Sequence, residues 1–187
     1  MKKEKLFNEI ISKYNFAKYN FDELQKEQIK LGLEKNVDVS IYANPEFDSE
    51  QMEIILIGLE QNLDVSIYAK PEYNFKQMYE IGAGLANSIN VSWYANPEYS
   101  WEQMNQIRYG LEDKVDVSLY AKSEFDWLQM QEIRFGLVKG LDISIYAKPE
   151  FDYDQMWQIR IGLEQYFDVS IYANPEFNWT QMREIRL

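Results

Sequence analysis

Close pairs of carboxylates recur along this 187-residue chain, Asp48 with Glu50 and Asp152 with Asp154 among them. Enzymes use such pairs as general acid and base. A serine also recurs at fixed spacing, as Ser40, Ser66, Ser92, Ser118, Ser144 and Ser170. A serine nucleophile needs a base beside it. The chain has neither histidine nor cysteine. Ser-His-Asp and Cys-His arrangements, thiolate zinc sites and disulfides are therefore excluded. The carboxylate pairs have a simpler reading: one member caps a helix and the other lies in its first turn, where negative charge is favoured anyway. The serines read as first-turn hydroxyls bonding backbone, and no D-x-D-x-D-G calcium loop is present. These residues argue against an enzyme and call for no cofactor and no metal.

Aromatic side chains offer the alternative chemistry, that of contact. One column reads Glu23, Ser49, Phe75, Trp101, Trp127, Tyr153 and Trp179, so five successive copies place a ring there. A nearby column varies freely through Glu53, Tyr79, Asn105, Gln131, Trp157 and Arg183. Rings bring large contact area at low entropy cost and are enriched in binding hot spots. The candidate partner-binding residues are Phe75, Trp101, Trp127, Tyr153, Trp179, Tyr79 and Trp157, expected to line up as an exposed ridge. The competing expectation is that each ring packs on a proline or aromatic of the adjacent copy. Two charged columns invite pairing: Glu46, Glu72, Glu98, Glu124, Glu150 and Glu176 with Arg108, Arg134, Arg160 and Arg186. Stacked copies could bring an arginine of one to such a glutamate of its neighbour, a structural role worth little stability.

These columns exist because the chain repeats every 26 residues. Tyr42, Tyr68, Tyr94, Tyr120, Tyr146 and Tyr172 keep that period, as do Ile29, Ile55, Ile81, Ile107, Ile133, Ile159 and Ile185. The consensus is roughly D-V-S-I-Y-A-x-P-E-F-D-x-x-Q-M-x-E-I-R-x-G-L-E-x-N-L. Each unit reads as two helices. The longer opens at Asp22, Asp48, Asn74, Ser100, Asp126, Asp152 or Asn178, all good caps, with a glutamine three residues on. That is a capping box in every copy, and Phe47 with Met52 fits the hydrophobic staple that accompanies one. Met52, Ile55 and Leu59 share the inward stripe. Glycine at 32, 58, 84, 110, 136 and 162 falls inside this helix, at about 1 kcal/mol relative to alanine. Close approach of a neighbouring helix would explain it, as would an early helix stop.

Asn36, Asn62, Ser88, Lys114, Gly140 and Tyr166 stand where a left-handed C′ residue belongs. Asp38, Asp64, Asn90, Asp116, Asp142 and Asp168 then cap a short second helix that ends before proline. A hairpin of this size cannot bury its apolar face alone, whereas stacked copies can. The expected fold is all-α: an α-solenoid of seven 26-residue helix-turn-helix repeats with an N-terminal capping helix, in one domain spanning 1–187. Residues 1–12 form the capping helix, Leu6, Phe7 and Ile10 facing inward, and 13–187 the repeats, the last of them truncated. Met182, Ile185 and Leu187 then sit either on an uncovered end suited to self-association or on a frayed terminus.

The strings D-V-S-x-Y-A and Q-M-x-E-I-R-x-G-L-E, carried here by Asp116 to Ala121 and Gln129 to Leu137, resemble an uncharacterised family of short α-helical repeats in bacterial proteins. The resemblance covers about residues 13–187 and implies no activity. In architecture the chain is similar to tetratricopeptide-like arrays, a likeness of fold that carries no function.

The net charge is −12, which repels a phosphate backbone and argues against direct nucleic-acid binding. No apolar run is long enough to span a membrane, and no signal peptide opens the chain. A soluble, cytoplasmic protein is expected. The leading reading is a non-enzymatic protein-binding scaffold whose partner carries a basic patch, with homo-oligomerisation through the C-terminal end as a further possibility. The alternative is an acidic DNA mimic that blocks a nucleic-acid-binding protein, as some phage and mobile-element inhibitors do.

Overall fold

The computed structural model describes residues 20–187. The expected capping helix at 1–12 and residues 13–19 of the first repeat lie outside that range. Among the described residues there are seven α-helices: α1 Glu23–Glu34, α2 Ser49–Glu60, α3 Phe75–Ala86, α4 Trp101–Glu112, α5 Trp127–Val138, α6 Tyr153–Glu164 and α7 Trp179–Arg186. No strand occurs among these residues. The chain divides into two compact units, one ending at Ser88 and the other beginning at Ile89. In the first, α1 packs on α2 and α2 on α3; in the second, α4 through α7 pack each on the next. Both are stretches of α-solenoid, in which a repeat touches its neighbours along the chain.

Every helix starts where its cap dictates. In all seven the N-cap side chain accepts the N3 backbone N–H while the N3 glutamine accepts the N-cap N–H. Two of the four orphan donors of a helix start are thereby satisfied reciprocally. The same glutamine has a second task. Gln129 Nε2 donates to the carbonyls of Phe151 at 2.6 Å and Pro149 at 3.3 Å, in the turn of the following repeat. Gln25, Gln51 and Gln155 do likewise, and Gln103 reaches Phe125 at 2.7 Å. One amide therefore caps its own helix and fastens the next unit.

Helix ends are equally regular. Asn36, Asn62, Ser88, Lys114 and Tyr166 take φ of 57 to 61°, and Gly140 takes 68°. Leu141 N–H then reaches the Gly136 carbonyl at 2.9 Å and Gly140 N–H that of Leu137 at 3.0 Å. These are the two bonds of a Schellman motif.

The second helix of each unit is shorter than the sequence suggests. It is a single 3-10 turn: Val39–Ile41, Val65–Ile67, Val91–Trp93, Val117–Leu119, Ile143–Ile145 and Val169–Ile171. The Asp142 carboxylate takes both the Ser144 N–H at 3.1 Å and the Ser144 hydroxyl at 2.6 Å. The repeated serine thus bonds the cap carboxylate rather than backbone. Tyr146 leaves helical space at φ −128°, and Lys148 N–H closes back on the Tyr146 carbonyl at 2.7 Å. With that amide engaged, the helical ladder cannot extend.

This turn exists to deliver the tyrosine. Tyr42, Tyr68, Tyr94, Tyr120 and Tyr146 are fully buried, as are the isoleucines at 29, 55, 81, 107, 133 and 159 and the methionines from Met52 to Met182. Burying an isoleucine side chain is worth about 2 kcal/mol. Tyr146 crosses beneath its own repeat's helix, and its hydroxyl donates to the Glu132 carbonyl at 3.2 Å. A Cβ on Gly136 would lie 1.9 Å from that hydroxyl oxygen and 2.9 Å from Ile143. The close approach that the glycine permits is therefore that of a tyrosine ring, not of a neighbouring helix. The helix does not stop at the glycine, since α5 continues to Val138.

Candidate functional site

All seven candidate residues belong to two helix positions, the first residue of the helix and the one a turn beyond it. Phe75, Trp101, Trp127, Tyr153 and Trp179 are each the first residue of their helix. Trp127, Tyr153 and Trp179 are 38 to 40% exposed, whereas Phe75 and Trp101 are half-buried. Tyr79 (57%) and Trp157 (40%) are exposed as well, one turn beyond Phe75 and Tyr153, and residues four apart share a helix face. Because α4 to α7 pack consecutively in the second unit, Trp101, Trp127, Tyr153 and Trp179 recur at matching places on neighbouring helices. Helices in contact lie about 8–10 Å apart. Phe75 and Tyr79 belong to the first unit and form their own pair on α3. Carboxylates border these rings. Asp154, next to Tyr153, pushes its hydroxyl above the usual range by its charge.

A second apolar column escaped the sequence reading. Ile41, Trp93, Leu119 and Ile171, each just before a core tyrosine, are 39 to 62% exposed. The signal was visible as an apolar residue at that position in every copy. Val39 and Tyr42, three residues apart, share the buried face, so the residue two past the valine faces away from it in a helical reading as well. At the last repeat Ile185 is 43% exposed where the other six isoleucines of its column are fully buried. Leu187 is 86% exposed, and Met182 is buried.

The arginine column finds partners other than those expected. Arg160 Nε donates to Glu132 at 2.7 Å, Arg134 to Gln106 at 3.1 Å and Arg186 to Gln158 at 3.4 Å. Each partner lies on the preceding helix, 28 residues earlier. Glu46, Glu98 and Glu176 instead engage in local asparagine turns, each backbone N–H donating to the asparagine two residues earlier at 3.1 Å. Arg160 also pairs with Glu164, and Arg134 with Asp113 at 2.7 Å. The guanidinium groups stack as well. Arg108 and Arg134 lie 4.6 and 5.5 Å from the Tyr109 ring centre, and Arg134 and Arg160 lie 4.7 and 5.5 Å from that of Phe135. Charge and ring thus alternate along the second unit, each stacking worth about 0.5–1 kcal/mol where exposed.

Burial raises the Glu132 carboxyl above the usual range, and Arg160 only partly opposes this. An acid whose folded value is raised adds stability below its unfolded value and loses it as pH rises through the folded one. Glu132→Gln removes that titration and leaves Arg160 an acceptor of the kind Gln106 and Gln158 already provide. We expect its stability at pH 7 to match the native chain within about 1 kcal/mol. Native minus variant stability should decline as pH rises from 4, followed by urea melts across pH. A difference that grows with pH would contradict the assignment.

Among the described residues no cluster of three acidic, cysteine or histidine side chains is placed to hold a metal, and no helix is long and apolar enough to cross a membrane. Comparison with known proteins finds no matching family model, no matching curated protein and no matching solved structure.

Proposed function

We propose that this protein is a non-enzymatic scaffold that binds another protein through the exposed aromatic residues of its consecutive helices. The observation that carries this reading is the exposure, at 38 to 40%, of Trp127, Tyr153, Trp157 and Trp179 on three successive helices of the second unit. Single exposed rings are ordinary on any surface. A set repeated at matching helix positions gives a partner several anchors. The rings supply contact area, while the surrounding carboxylates steer a basic partner and set its orientation. Phe75 and Tyr79 offer a smaller surface of the same kind, and Trp101 contributes as a half-buried flank. Self-association through Ile185 and Leu187 is a subsidiary proposal.

The net charge of −12 favours a second reading, in which the acidic surface stands in for nucleic acid and occupies a protein that binds it.

The test is selection of peptides from a random displayed library on the immobilised full chain, followed by titration of the winners. Under the scaffold reading the selected peptides are rich in Lys and Arg. They lose at least about tenfold in affinity against Trp127→Ser, Trp157→Ser, Trp179→Ser, because a truncated hot spot costs about 1–2 kcal/mol or more. The variant should keep the native circular dichroism spectrum but melt at a lower temperature, since each ring is still more than half buried. Peptides that bind native and triple variant equally would sink the aromatic surface. If half-molar salt abolished their binding as well, the nucleic-acid mimic would be favoured.

A further inference from the structure

The ladder of arginine, acceptor and ring that runs through the second unit has no counterpart in the first, where the arginine column reads Lys30, Leu56 and Gly82. Position 82 holds glycine where 134 and 160 hold arginine. Position 54 holds isoleucine where 106 and 132 hold Gln and Glu, and position 83 holds alanine where 109 and 135 hold Tyr and Phe. All three partners of one rung are thus replaced together, by residues that are smaller or uncharged. The gap is a cavity of about 350 Å³ between α2 and α3, lined by Ile54, Ile57, Leu63, Tyr68, Gly82 and Ala83, with Tyr79 at its edge. No charged side chain lines it, although the chain as a whole is strongly acidic. For scale, an apolar cavity of about 150 Å³ accommodates benzene.

Exposed Gln61 and Asn87 stand at the rim, and the lining holds one buried hydroxyl, that of Tyr68. Tyr42, Tyr120, Tyr146 and Tyr172 each donate their hydroxyl to the carbonyl fourteen residues earlier, at 3.0 to 3.5 Å. The Tyr68 hydroxyl is buried and has no hydrogen-bond partner. It lies 3.6 Å from the place a Cβ on residue 82 would take, beside the missing arginine. Burial pushes it up to about 12, so at neutral pH it keeps its proton and can only be satisfied fully by an acceptor. An unpaired buried hydroxyl costs about 1–3 kcal/mol, and an occupant that accepts from it recovers part of that.

We propose that this cavity is a binding site for a small neutral ligand, an apolar ring of about ten non-hydrogen atoms bearing one acceptor such as a carbonyl. The neutral lining disfavours an ion of either sign, because a charge moved there loses hydration without gaining a counter-charge. The isoleucine and alanine side chains take the ring, and Tyr68 donates to the acceptor. The site lies wholly in the first unit and is independent of the aromatic surface proposed for the second.

The test is a titration of the ¹⁵N-labelled full chain with three probes: acetophenone, ethylbenzene and benzoate. Acetophenone should shift amides within residues 54–87 saturably, and bind about three- to tenfold more tightly than ethylbenzene, the advantage of one hydrogen bond. Benzoate should leave them in place. Tyr68→Phe should retain ethylbenzene binding and erase the advantage of acetophenone. Ile54→Glu, Gly82→Arg rebuilds the rung seen at Glu132 and Arg160, and should abolish binding while preserving the helical spectrum. Ala83→Phe, which restores the ring of Phe135, is the independent filling variant should the double substitution fail to fold. Shifts that are absent, spread through both units or unchanged in a folded filling variant would overturn the site. Equal binding of acetophenone and ethylbenzene would overturn the Tyr68 contact, and equal binding of benzoate the neutral ligand class.

Discussion

Gly136→Ala is expected to destabilise the second unit by about 2–3 kcal/mol, although alanine is the better helix former by about 1 kcal/mol. The added methyl would lie 1.9 Å from Tyr146 Oη, 3.2 Å from its Cζ and 2.9 Å from Ile143. None of these neighbours is the loose end of a flexible chain. Tyr146 is fully buried, with its hydroxyl held on the Glu132 carbonyl, so relief requires the 3-10 turn to move as a body. The decisive comparison is a double-mutant cycle. Tyr146→Phe alone should cost about 1 kcal/mol through the lost hydrogen bond. In the alanine background it also removes the nearest clashing atom, and should therefore cost less or even stabilise. Chemical denaturation of the four proteins measures the coupling, which we expect to exceed about 1 kcal/mol. An alanine variant as stable as the native chain, or strict additivity, would show that glycine and tyrosine do not form one device.

Gln129→Glu should be almost as damaging, and in a way that depends on pH. Glutamate is ordinarily a good third residue of a capping box, so local rules predict no penalty. The structure adds the second bond. Nε2 of Gln129 sits 2.6 Å from the Phe151 carbonyl, and a carboxylate there would set oxygen against oxygen in a buried position. The expected loss at pH 7 is about 2–3 kcal/mol. Protonation restores a donor, so the folded state holds the introduced proton more tightly than the unfolded chain does. The deficit should therefore shrink as pH falls towards 4 and widen above it. Gln181 caps Asn178 through the same contacts but lies exposed, and Gln181→Glu should change stability by less than about 0.5 kcal/mol. Equal behaviour of the two variants would refute the bridging role.

Local chemistry was readable from the sequence, and partners across space were not. The caps at Asp126 and Asn178, the left-handed residues at Asn62 and Lys114 and the buried isoleucine column all follow from residues within one helical turn of each other. Gly136 announced that something comes close, but its occupant is Tyr146, ten residues away on the far side of a turn. The arginines were paired with the turn glutamates because both columns were regular. Their true acceptors lie 28 residues back, one repeat and two positions, a register set by how neighbouring helices slide against each other. The short second element looked like a helix because its cap and stripe are helical, yet the closure of Lys148 on Tyr146 ends it after one turn. Ile54, Gly82 and Ala83 depart from consensus together, but a consensus records what copies share and not the space that several small residues leave in concert. The exposed rings at Trp127, Tyr153 and Trp179 were legible because a capped first turn faces outward by geometry alone.

The glutamine joints all point the same way along the chain, each reaching 20 to 22 residues ahead to the following turn. Head-to-tail contacts of this kind use the same donor and acceptors at every joint, and each joint needs only the two repeats it connects. A gene encoding such a chain can gain or lose 26 codons by unequal recombination, and every surviving joint still finds the same donor and the same carbonyls. Copy number is therefore the property most open to inheritance by simple duplication. A lineage can extend its reach, or carry one divergent copy such as that around Gly82, without designing a new contact between repeats.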